Sequence, residues 1–500
     1  MLSLPLLDSS ELSKWQKSSS SSNFSSTSHN SENSMIRALH TMAKYPARQH
    51  ALNVKKHLQT KIKDLSNHAI FVSGYTNEHY LYSDTAKPFR QERYFYYLSG
   101  SNIPGSHIFF DINKEELVLF LPEIDYDDVM WSGMPLSPED AHAKYDVDKV
   151  LYESDIDNYL TKYDTNLTTH ISPVNKKYSN FLRQSDKNFF YALDEARLIK
   201  DEYEISMLRK AAAITDNSHT AVMSALPIET NETHIHAEFV YHSIRQGSKH
   251  QAYDPICCSG PNCGTLHYVK NDDTMEGKHS VLIDAGAEWE NYCADVTRCF
   301  PISGEWTEEH LWVYETVRLM QSETLKMIKP GASWDEIHLK AHKVLIDKFL
   351  EKGLFKGDKD EIFESSVSTA FFPHGLGHLL GLDTHDVGGH PNYNDPDPKL
   401  RYLRLRRTLQ KGMVLTDEPG IYFSPYLIEL ALKDPKQAKF IQKDVVDKFK
   451  YVGGVRIEDD IVVTENGSEN LTGITSDPHE VAKIVQKGLA KDKSFFHNVV

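Results

Sequence analysis

Five hundred residues are more than one ordinary domain needs, and a hydrophobic content of 40% with 11% aromatic residues is enough to bury a large core. The composition therefore excludes a globally disordered chain and favours two or three domains. A formal net charge of -16 argues against binding to nucleic acid or an anionic membrane, because phosphate contacts need clustered Lys and Arg. No run of about eighteen apolar residues occurs, so no membrane-spanning segment is predicted.

Residues 1–42 predict a disordered, serine-rich tail. They include the serine run at 18–22 and have few apolar residues to offset the entropy of ordering the chain. A mitochondrial presequence is the alternative, but Glu11, Glu32 and the lack of any Arg before Arg37 do not suit one. We expect a cytoplasmic protein, with a mitochondrial location as the alternative.

Residues 43–190 predict an α/β domain. Apolar residues recur at helical spacing between Ala51 and Leu65, and short apolar or alternating runs follow, for example at 69–72 and 117–121. Helices and strands of this length and spacing are typical of an α/β fold.

A second domain of mixed helices and strands is predicted over residues 191–480, with a C-terminal tail over 481–500. A charged amphipathic helix between Leu193 and Ala213 opens it. Strand patterns then alternate with three further helical patterns, at 204–224, 309–328 and 334–352.

The five cysteines all lie between Cys257 and Cys299, an odd and crowded set that does not look like a disulfide framework. Cys257-Cys258-x4-Cys263 does not predict a zinc knuckle, because a fourth ligand at suitable spacing is missing. Buried free thiols in a reducing compartment are predicted.

Two acids terminate the strands of a predicted hairpin. The run 281–286 reads as a strand arriving at Asp284, and the run 294–300 as a returning strand that carries Asp295. A hairpin folded about Trp289 and Glu290 would place the two acids directly opposite each other, roughly 5 Å apart on one face. Two carboxylates held there repel unless a proton or a cation lies between them. Two exposed acids at strand ends are the alternative.

Three histidines, His374, His378 and His385, lie within twelve positions among glycines and apolar residues. The glycines argue against a helix, so the His-x3-His spacing is not that of the helical zinc motif. A single histidine among apolar residues is usually a hydrogen-bonded core group. Three together favour a site.

Two further acids accompany strand patterns. Glu418 ends the run 412–418 and is followed at once by Pro-Gly, and alternation in the run 453–463 puts Arg456 and Glu458 on one face. Either acid alone is typical of a solvated strand end, so the indication lies in their combination.

Four carboxylates and one imidazole suit two divalent ions, whose charges cancel the four negative charges. Oxygen-rich ligand sets favour Mn²⁺ or Mg²⁺ over structural zinc, which prefers Cys and His. Two such ions lower the pKa of a shared water molecule and hold the reacting oxygens. The candidate ligands are Asp284, Asp295, His378, Glu418 and Glu458.

Several separate short sequence motifs carry a family resemblance. They are Met-Trp-Ser-Gly at 130–133, Cys-Ser-Gly at 258–260, His-Tyr at 267–268, Phe-Pro-His-Gly-Leu-Gly-His at 372–378, Thr-His-Asp at 384–386 and Leu-Arg-x-Leu-Arg at 400–404. With the five candidate ligands, in this order, they resemble the Xaa-Pro branch of the pita-bread metallopeptidases. The similarity to fungal prolidase or aminopeptidase P proteins runs from about residue 45 to residue 472.

The resemblance implies an α/β N-terminal domain followed by an α+β pita-bread catalytic domain. It implies a dinuclear site with two divalent metal ions, expected to be Mn²⁺, that hydrolyses the bond before proline. The substrates are then Xaa-Pro dipeptides, or short peptides that lose the residue ahead of a penultimate proline. We also expect a homodimer.

The same resemblance assigns roles to individual residues. Asp284 would chelate one ion and His378 with Glu418 the other, while Asp295 and Glu458 bridge both, and Glu418 would also handle the proton of the attacking water. His267, His374 and His385 would contact the scissile carbonyl and the prolyl residue. Arg404 would hold the product-side carboxylate. Arg456 would position Glu458 or the substrate.

Asp417 departs from the family pattern, in which an apolar or small residue precedes the ligand Glu. One position along a strand from Glu418, its side chain should point away from the metals.

Three other interpretations remain. A methionine aminopeptidase would not need the N-terminal domain, and a creatinase-like hydrolase would lack the metal ligands. A catalytically inactive binding or scaffold protein of this fold would be expected to have lost some of them.

Overall fold

A five-stranded mixed sheet organises the N-terminal part of the chain. The computed structural model describes residues 44–163, 168–171 and 187–497, so the predicted tail over residues 1–42 lies outside the described residues. The strands are β1 (His68–Ser73), β2 (His107–Asp111), β3 (Glu116–Leu121), β4 (Lys149–Tyr152) and β5 (Thr168–Ile171), in the order β4-β3-β2-β1-β5. The pairs β1–β2 and β2–β3 are antiparallel, whereas β1–β5 and β3–β4 are parallel.

Both faces of this sheet are buried. Ile70 and Val72 of β1 belong to one apolar cluster, and their neighbours Ala69 and Phe71 belong to another, as strand alternation requires. Helices pack with these strands, as the sequence predicted. They are Ala47–Gln59, Arg93–Ser99, Pro138–Lys144 and Ile156–Leu160, whereas the short helix Val129–Ser132 buries none of its residues.

The predicted helix between Leu193 and Ala213 is wrong in one respect, because two helices, Lys187–Leu198 and Glu202–Ser224, share this segment. The break has a local cause. The Asp201 carboxylate accepts a hydrogen bond from the Glu204 amide, and the Glu204 carboxylate accepts one from the Asp201 amide. This reciprocal capping box starts a new helix at Glu202.

The rest of the chain combines small sheets with long helices. Its strands are β6 (Ile256–Ser259), β7 (Ser280–Asp284), β8 (Glu288–Trp289), β9 (Tyr292–Cys293), β10 (Thr297–Pro301), β11 (Val414–Asp417), β12 (Gly420–Tyr422), β13 (Gly454–Arg456), β14 (Asp459–Val463) and β15 (Ser468–Asn470). They pair in the orders β10-β7-β6, β11-β14-β15, β12-β13 and β8-β9. The further helices are Glu232–Arg245, Glu308–Leu325, Trp334–Lys352, Lys359–Glu364, Pro425–Lys433, Pro435–Ala438, Lys443–Val446 and Pro478–Leu489.

The hairpin register differs from the predicted one by two positions. Asp284 pairs with Thr297, not with Asp295, because the turn is centred on Glu290 and Asn291, whose φ angles are 47° and 67°. Asparagine tolerates this left-handed backbone, which two-residue hairpin turns require. A shift of two positions preserves the face of each side chain, so the two aspartates still share one face of the hairpin.

The packed part of the chain continues beyond residue 480, where the sequence predicted a tail. The helix Pro478–Leu489 buries Val481, Ala482 and Val485, which recur at helical spacing. All five cysteines are buried and free, as predicted. None of the helices in the described part of the chain is long and apolar enough to cross a membrane.

A buried ion-pair cluster fixes the segment that carries His385. Arg197 donates to Asp383 Oδ2 at 2.8 Å and to Asp386 Oδ1 at 2.6 Å, and Lys200 Nζ lies 2.7 Å from Asp386 Oδ2. The side chains of Arg197, Lys200 and Asp386 are each at most 2% exposed. The helix ends around residue 200 are thereby tied to the turn that holds His385.

Arg197→Met is expected to destabilise the protein by about 3–5 kcal/mol, because it removes one of the two cations that pair with the buried Asp386. Thermal unfolding followed by circular dichroism measures the change. Arg209→Met is the matched control: Arg209 pairs with Glu469 while both side chains are about 45% exposed, and such pairs contribute about 0–1 kcal/mol. Equal shifts in the two variants would contradict the buried-cluster interpretation.

Candidate metal centre

A cavity of about 350 Å³ lies where the ends of β7, β11 and β13 approach the segment 371–386. Every candidate site residue lines it: His267, Asp284, Asp295, His374, His378, His385, Arg404, Glu418, Arg456 and Glu458. The structure therefore brings together residues that are up to 191 positions apart, although their individual roles stay predictions. The wall is completed by Leu266, Pro373, Gly375, Gly377, Tyr393, Tyr402 and Leu427.

Three of the acids lie at or next to the ends of strands that border the cavity. Asp284 is the last residue of β7, Glu418 directly follows β11, and Glu458 lies between β13 and β14. Glu458 also forms a β-bridge with Thr297 of β10, which brings its carboxylate next to the hairpin. Because side chains alternate along a strand, Arg456 and Glu458 face the cavity together, as predicted, with Arg456 Nε 3.8 Å from Glu458 Oε2.

The histidines lie on irregular backbone, as the glycine-rich sequence predicted. Residues 371–413 contain no helix or strand. An isolated bridge from Leu379 to Leu415 and backbone hydrogen bonds such as Thr416 N–H to the His378 carbonyl oxygen tie them to β11. A Cβ atom on Gly377 would lie 2.0 Å from the carbonyl oxygen of Thr416. Only glycine allows this close approach, which sets His378 against the strand that precedes Glu418.

Three of the candidate ligands already lie within coordination distance of one another. The ligand atoms of Asp295, His378 and Glu458 are all within 4.8 Å of each other. His378 Nε2 lies 3.3 Å from Asp295 Oδ2 and 3.6 Å from Glu418 Oε1. The Tyr253 hydroxyl lies 2.5 Å from a carboxylate oxygen of Asp284 and 2.5 Å from one of Asp295.

The hydrogen bonding of His378 leaves its Nε2 atom free to bind a metal ion. Its Nδ1 donates to the carbonyl oxygen of Leu379 at 3.0 Å, so in the neutral ring Nε2 carries the lone pair. That lone pair faces the carboxylates of the cavity. A donor nitrogen fixed in this way by a backbone carbonyl is the usual arrangement for a metal-bound histidine.

The carboxylates carry more negative charge than the protein compensates. Burial and the nearby carboxylates of Asp295 and Glu418 raise the pKa of Glu458 well above its usual range. Burial, reinforced by Asp284, raises the pKa of Asp295, and burial raises the pKa of Glu418 to about 7. Divalent cations would relieve this repulsion, so the residues present fit a metal site.

The other histidines are held neutral. Burial and Arg456 lower the pKa of His374 to about 3, and burial and His378 lower that of His385 to about 2. Burial also lowers the pKa of His267. Neutral imidazoles can donate a hydrogen bond to a carbonyl oxygen without adding positive charge next to the cations.

Sequence reasoning missed the partners that hold the candidate ligands. Thr297 donates to Glu458 Oε2 at 2.6 Å, and the Tyr422 hydroxyl bridges His374 Nε2 and Arg456 Nη1 at 2.8 Å each. The Asp460 carboxylate accepts from the backbone amide of Asp295 at 3.1 Å. Alternation from Asp295 could have indicated Thr297, two positions along the same face.

Asp417 points away from the metal ligands, as predicted. Its carboxylate is fully buried and accepts hydrogen bonds from Thr324 Oγ1 at 2.9 and 3.1 Å. Asp417 does not line the cavity.

Comparison with known proteins identifies the two parts of the chain. Residues 206–465 match metallopeptidase family M24, and residues 50–171 match the N-terminal domain of aminopeptidase P. An uncharacterized peptidase of Saccharomyces cerevisiae is 56% identical over 91% of this chain and 87% of its own length. A probable Xaa-Pro aminopeptidase of Verticillium alfalfae is 45% identical over 88% of this chain and 97% of its own length.

The fold has the same relatives. Aminopeptidase P from Escherichia coli, solved with the inhibitor Pro-Leu, superposes with a TM-score of 0.75 at 28% identity, over 90% of this chain and all of that one. The predicted architecture, an α/β N-terminal domain ahead of an α+β pita-bread domain, is confirmed. The chain therefore belongs to metallopeptidase family M24 and is a pita-bread enzyme of the fungal aminopeptidase P type.

Proposed function

We propose that this protein is a dinuclear metallopeptidase that hydrolyses the peptide bond before a proline. Its substrates are Xaa-Pro dipeptides, short peptides with a penultimate proline, or both. The observation that carries the proposal is the convergence of four carboxylates, His378 and three neutral histidines in one cavity. The relatives named as probable Xaa-Pro aminopeptidases support the substrate class.

Five residues would hold the ions. In this proposal Asp284 binds one, His378 and Glu418 bind the other, and Asp295 and Glu458 bridge the two. The carboxylate-rich set favours Mn²⁺. When bound, the ions would polarise the scissile carbonyl and lower the pKa of a water molecule.

The side chains of the chain supply proton transfer and orientation. Glu418, whose carboxylate lies in the cavity next to His378, would accept the proton of the attacking water and return it. His267 and His385 can donate hydrogen bonds to the carbonyl oxygen. His374 can pack against the prolyl residue, because its Nδ1 already donates to the carbonyl oxygen of Gly375 and its Nε2 accepts from the Tyr422 hydroxyl. Arg456 pairs with Asp284, which keeps this guanidinium against the ligand set, so it acts as a positioning residue.

Arg404 suits the free carboxylate of a substrate. Its side chain is exposed at the cavity, and none of the carboxylates in the described ranges forms an ion pair with it. A guanidinium in this position can form two charge-assisted hydrogen bonds to a carboxylate.

An inactive binding or scaffold protein is the second candidate function. The complete ligand set disfavours it, because a chain without catalytic function has no need to hold four repelling acids together. A homodimer and a cytoplasmic location stay predictions.

The proposal is tested by offering Mn²⁺-loaded protein two proline peptides and two matched peptides without a penultimate proline. Release of proline from Gly-Pro and of arginine from Arg-Pro-Pro is expected, while Gly-Ala and Arg-Ala-Pro stay intact. Free amino acids are quantified by chromatography. Metal-replete protein that cleaves none of the four would support the scaffold function, and equal cleavage of all four would contradict proline specificity.

A further inference from the structure

The loop that carries His267 has no regular structure of its own. Residues 265–279 connect the short 3-10 turn Gly260–Gly264 to β7, and this stretch, described throughout, contains no helix or strand. The His267 imidazole lines the cavity, and no hydrogen bond to another described residue orients it. Its direction therefore depends on whatever holds the loop backbone.

One buried carboxylate holds that loop at several points. Glu232, the first residue of the helix Glu232–Arg245, is fully buried. Its Oε1 accepts from the Ser259 amide at 2.8 Å, the Ser259 hydroxyl at 2.7 Å and Asn262 Nδ2 at 3.0 Å. Its Oε2 accepts from the Tyr268 hydroxyl at 2.8 Å and the Asp273 amide at 3.1 Å.

These bonds reach both ends and the middle of the segment. Ser259 ends β6, Asp273 lies near the far side of the loop, and Tyr268 is the residue directly after His267. Lys278 adds a cation, with Nζ 3.6 Å from Glu232 Oε1 and 2.7 Å from Asp273 Oδ2. A buried carboxylate that accepts this many bonds rigidifies the groups that donate to it.

We propose that Glu232 is a positioning residue that orients His267 towards the substrate carbonyl, acting through the Tyr268 hydroxyl and the loop backbone. The inference rests on the proposed function of the cavity and adds to it a group that does not line it. Tyr268 is the closest link between the two residues, because its phenol is anchored on Glu232 while its backbone is bonded to His267.

Two variants separate positioning from general support of the fold. Tyr268→Phe removes the bond that the phenol donates to Glu232 and the one that it accepts from Asn262. Glu232→Gln replaces an oxygen that accepts bonds with an amide group that cannot. Both are expected to lower kcat/KM for the proline peptides about tenfold or more, mainly through kcat, with metal content unchanged. Glu238→Gln is the matched control and should stay within about twofold of wild type. Glu238 is a buried glutamate of the same helix that bonds to His242 and His497, away from the cavity.

A double-mutant cycle decides whether the effect passes through His267. In a His267→Ala background, Tyr268→Phe should cause no further loss beyond about twofold. A tenfold loss that persists there would overturn the proposal, since Tyr268 would then act on another part of the site. Near-normal rates in both Tyr268→Phe and Glu232→Gln would overturn it as well.

Hydrogen–deuterium exchange gives a readout that needs no turnover. In Glu232→Gln the amides of residues 264–278 should exchange faster than in wild type, whereas Glu238→Gln should leave them unchanged. Unchanged exchange in Glu232→Gln would overturn the positioning role. Failure of the wild-type protein to cleave any proline peptide would instead reject the proposed function, and the exchange result would still decide whether Glu232 orders the loop.

Discussion

Asp295→Asn is expected to release both metal ions or hold them only weakly, and to abolish hydrolysis of proline peptides. Asp295 lies within coordination distance of His378 and Glu458 and shares the Tyr253 hydroxyl with Asp284. In the proposed dinuclear site the substitution would remove one negative charge between two cations while preserving side-chain volume, so the cations would face each other with less compensation. Metal content by mass spectrometry and activity with saturating Mn²⁺ measure the two effects.

A control for this variant exists beside Glu418, another of the proposed ligands. Asp417→Asn changes the same residue type at a fully buried position next to Glu418, but its side chain faces Thr324 and not the cavity. An asparagine there can still accept the threonine hydrogen bond, so metal content and rate should stay close to wild type. Full metal content with near-normal rates in Asp295→Asn would show that the bridging assignment is wrong.

The groups that converge in the cavity could be predicted because each belongs to a short, contiguous motif. His374, His378 and His385 are spaced by glycines that exclude a helix, and the structure leaves that whole segment irregular. Glu418 and Glu458 adjoin apolar strand runs whose alternation places one face in the core. Local pattern therefore indicated the acids and the three clustered histidines, whereas only the family resemblance indicated His267 and Arg404.

Register and remote partners could not be predicted in the same way. Moving the hairpin turn by one residue, to Glu290 and Asn291, re-pairs every residue of two strands, and the apolar pattern is almost the same for both choices. Tyr253 lies 31 residues from Asp284 and belongs to no strand or helix, so nothing local relates the two. The role of Glu232 could not be predicted either, because a glutamate in the first turn of a helix is commonly an exposed residue that complements the helix dipole.

Arg404→Ala is expected to lower kcat/KM for Gly-Pro about a hundredfold, the cost of losing a charge-assisted contact to a desolvated carboxylate. Every Xaa-Pro dipeptide ends in a free carboxylate on the prolyl residue, and the Arg404 guanidinium is exposed at the cavity to meet it. Arg401→Ala is the matched control. Arg401 lies three positions earlier, outside the cavity, and bonds to the backbone oxygen of Asp395, so its loss should change the rate little.

The comparison between substrates distinguishes the two Xaa-Pro activities. A dipeptide with an amidated C-terminus has no carboxylate for Arg404 to grip, and a tripeptide places its carboxylate one residue further out. Cleavage of both should therefore depend much less on Arg404 than cleavage of Gly-Pro does. If Arg404 binds the carboxylate equally in the ground and transition states, the loss on Gly-Pro appears chiefly as a higher KM. Steady-state kinetics of Arg404→Ala on Gly-Pro, Gly-Pro amide and Arg-Pro-Pro measure this directly. Equal losses on all three would mean that Arg404 supports the wall of the cavity and not carboxylate recognition, and a dipeptidase activity would then need another cation to bind its substrate.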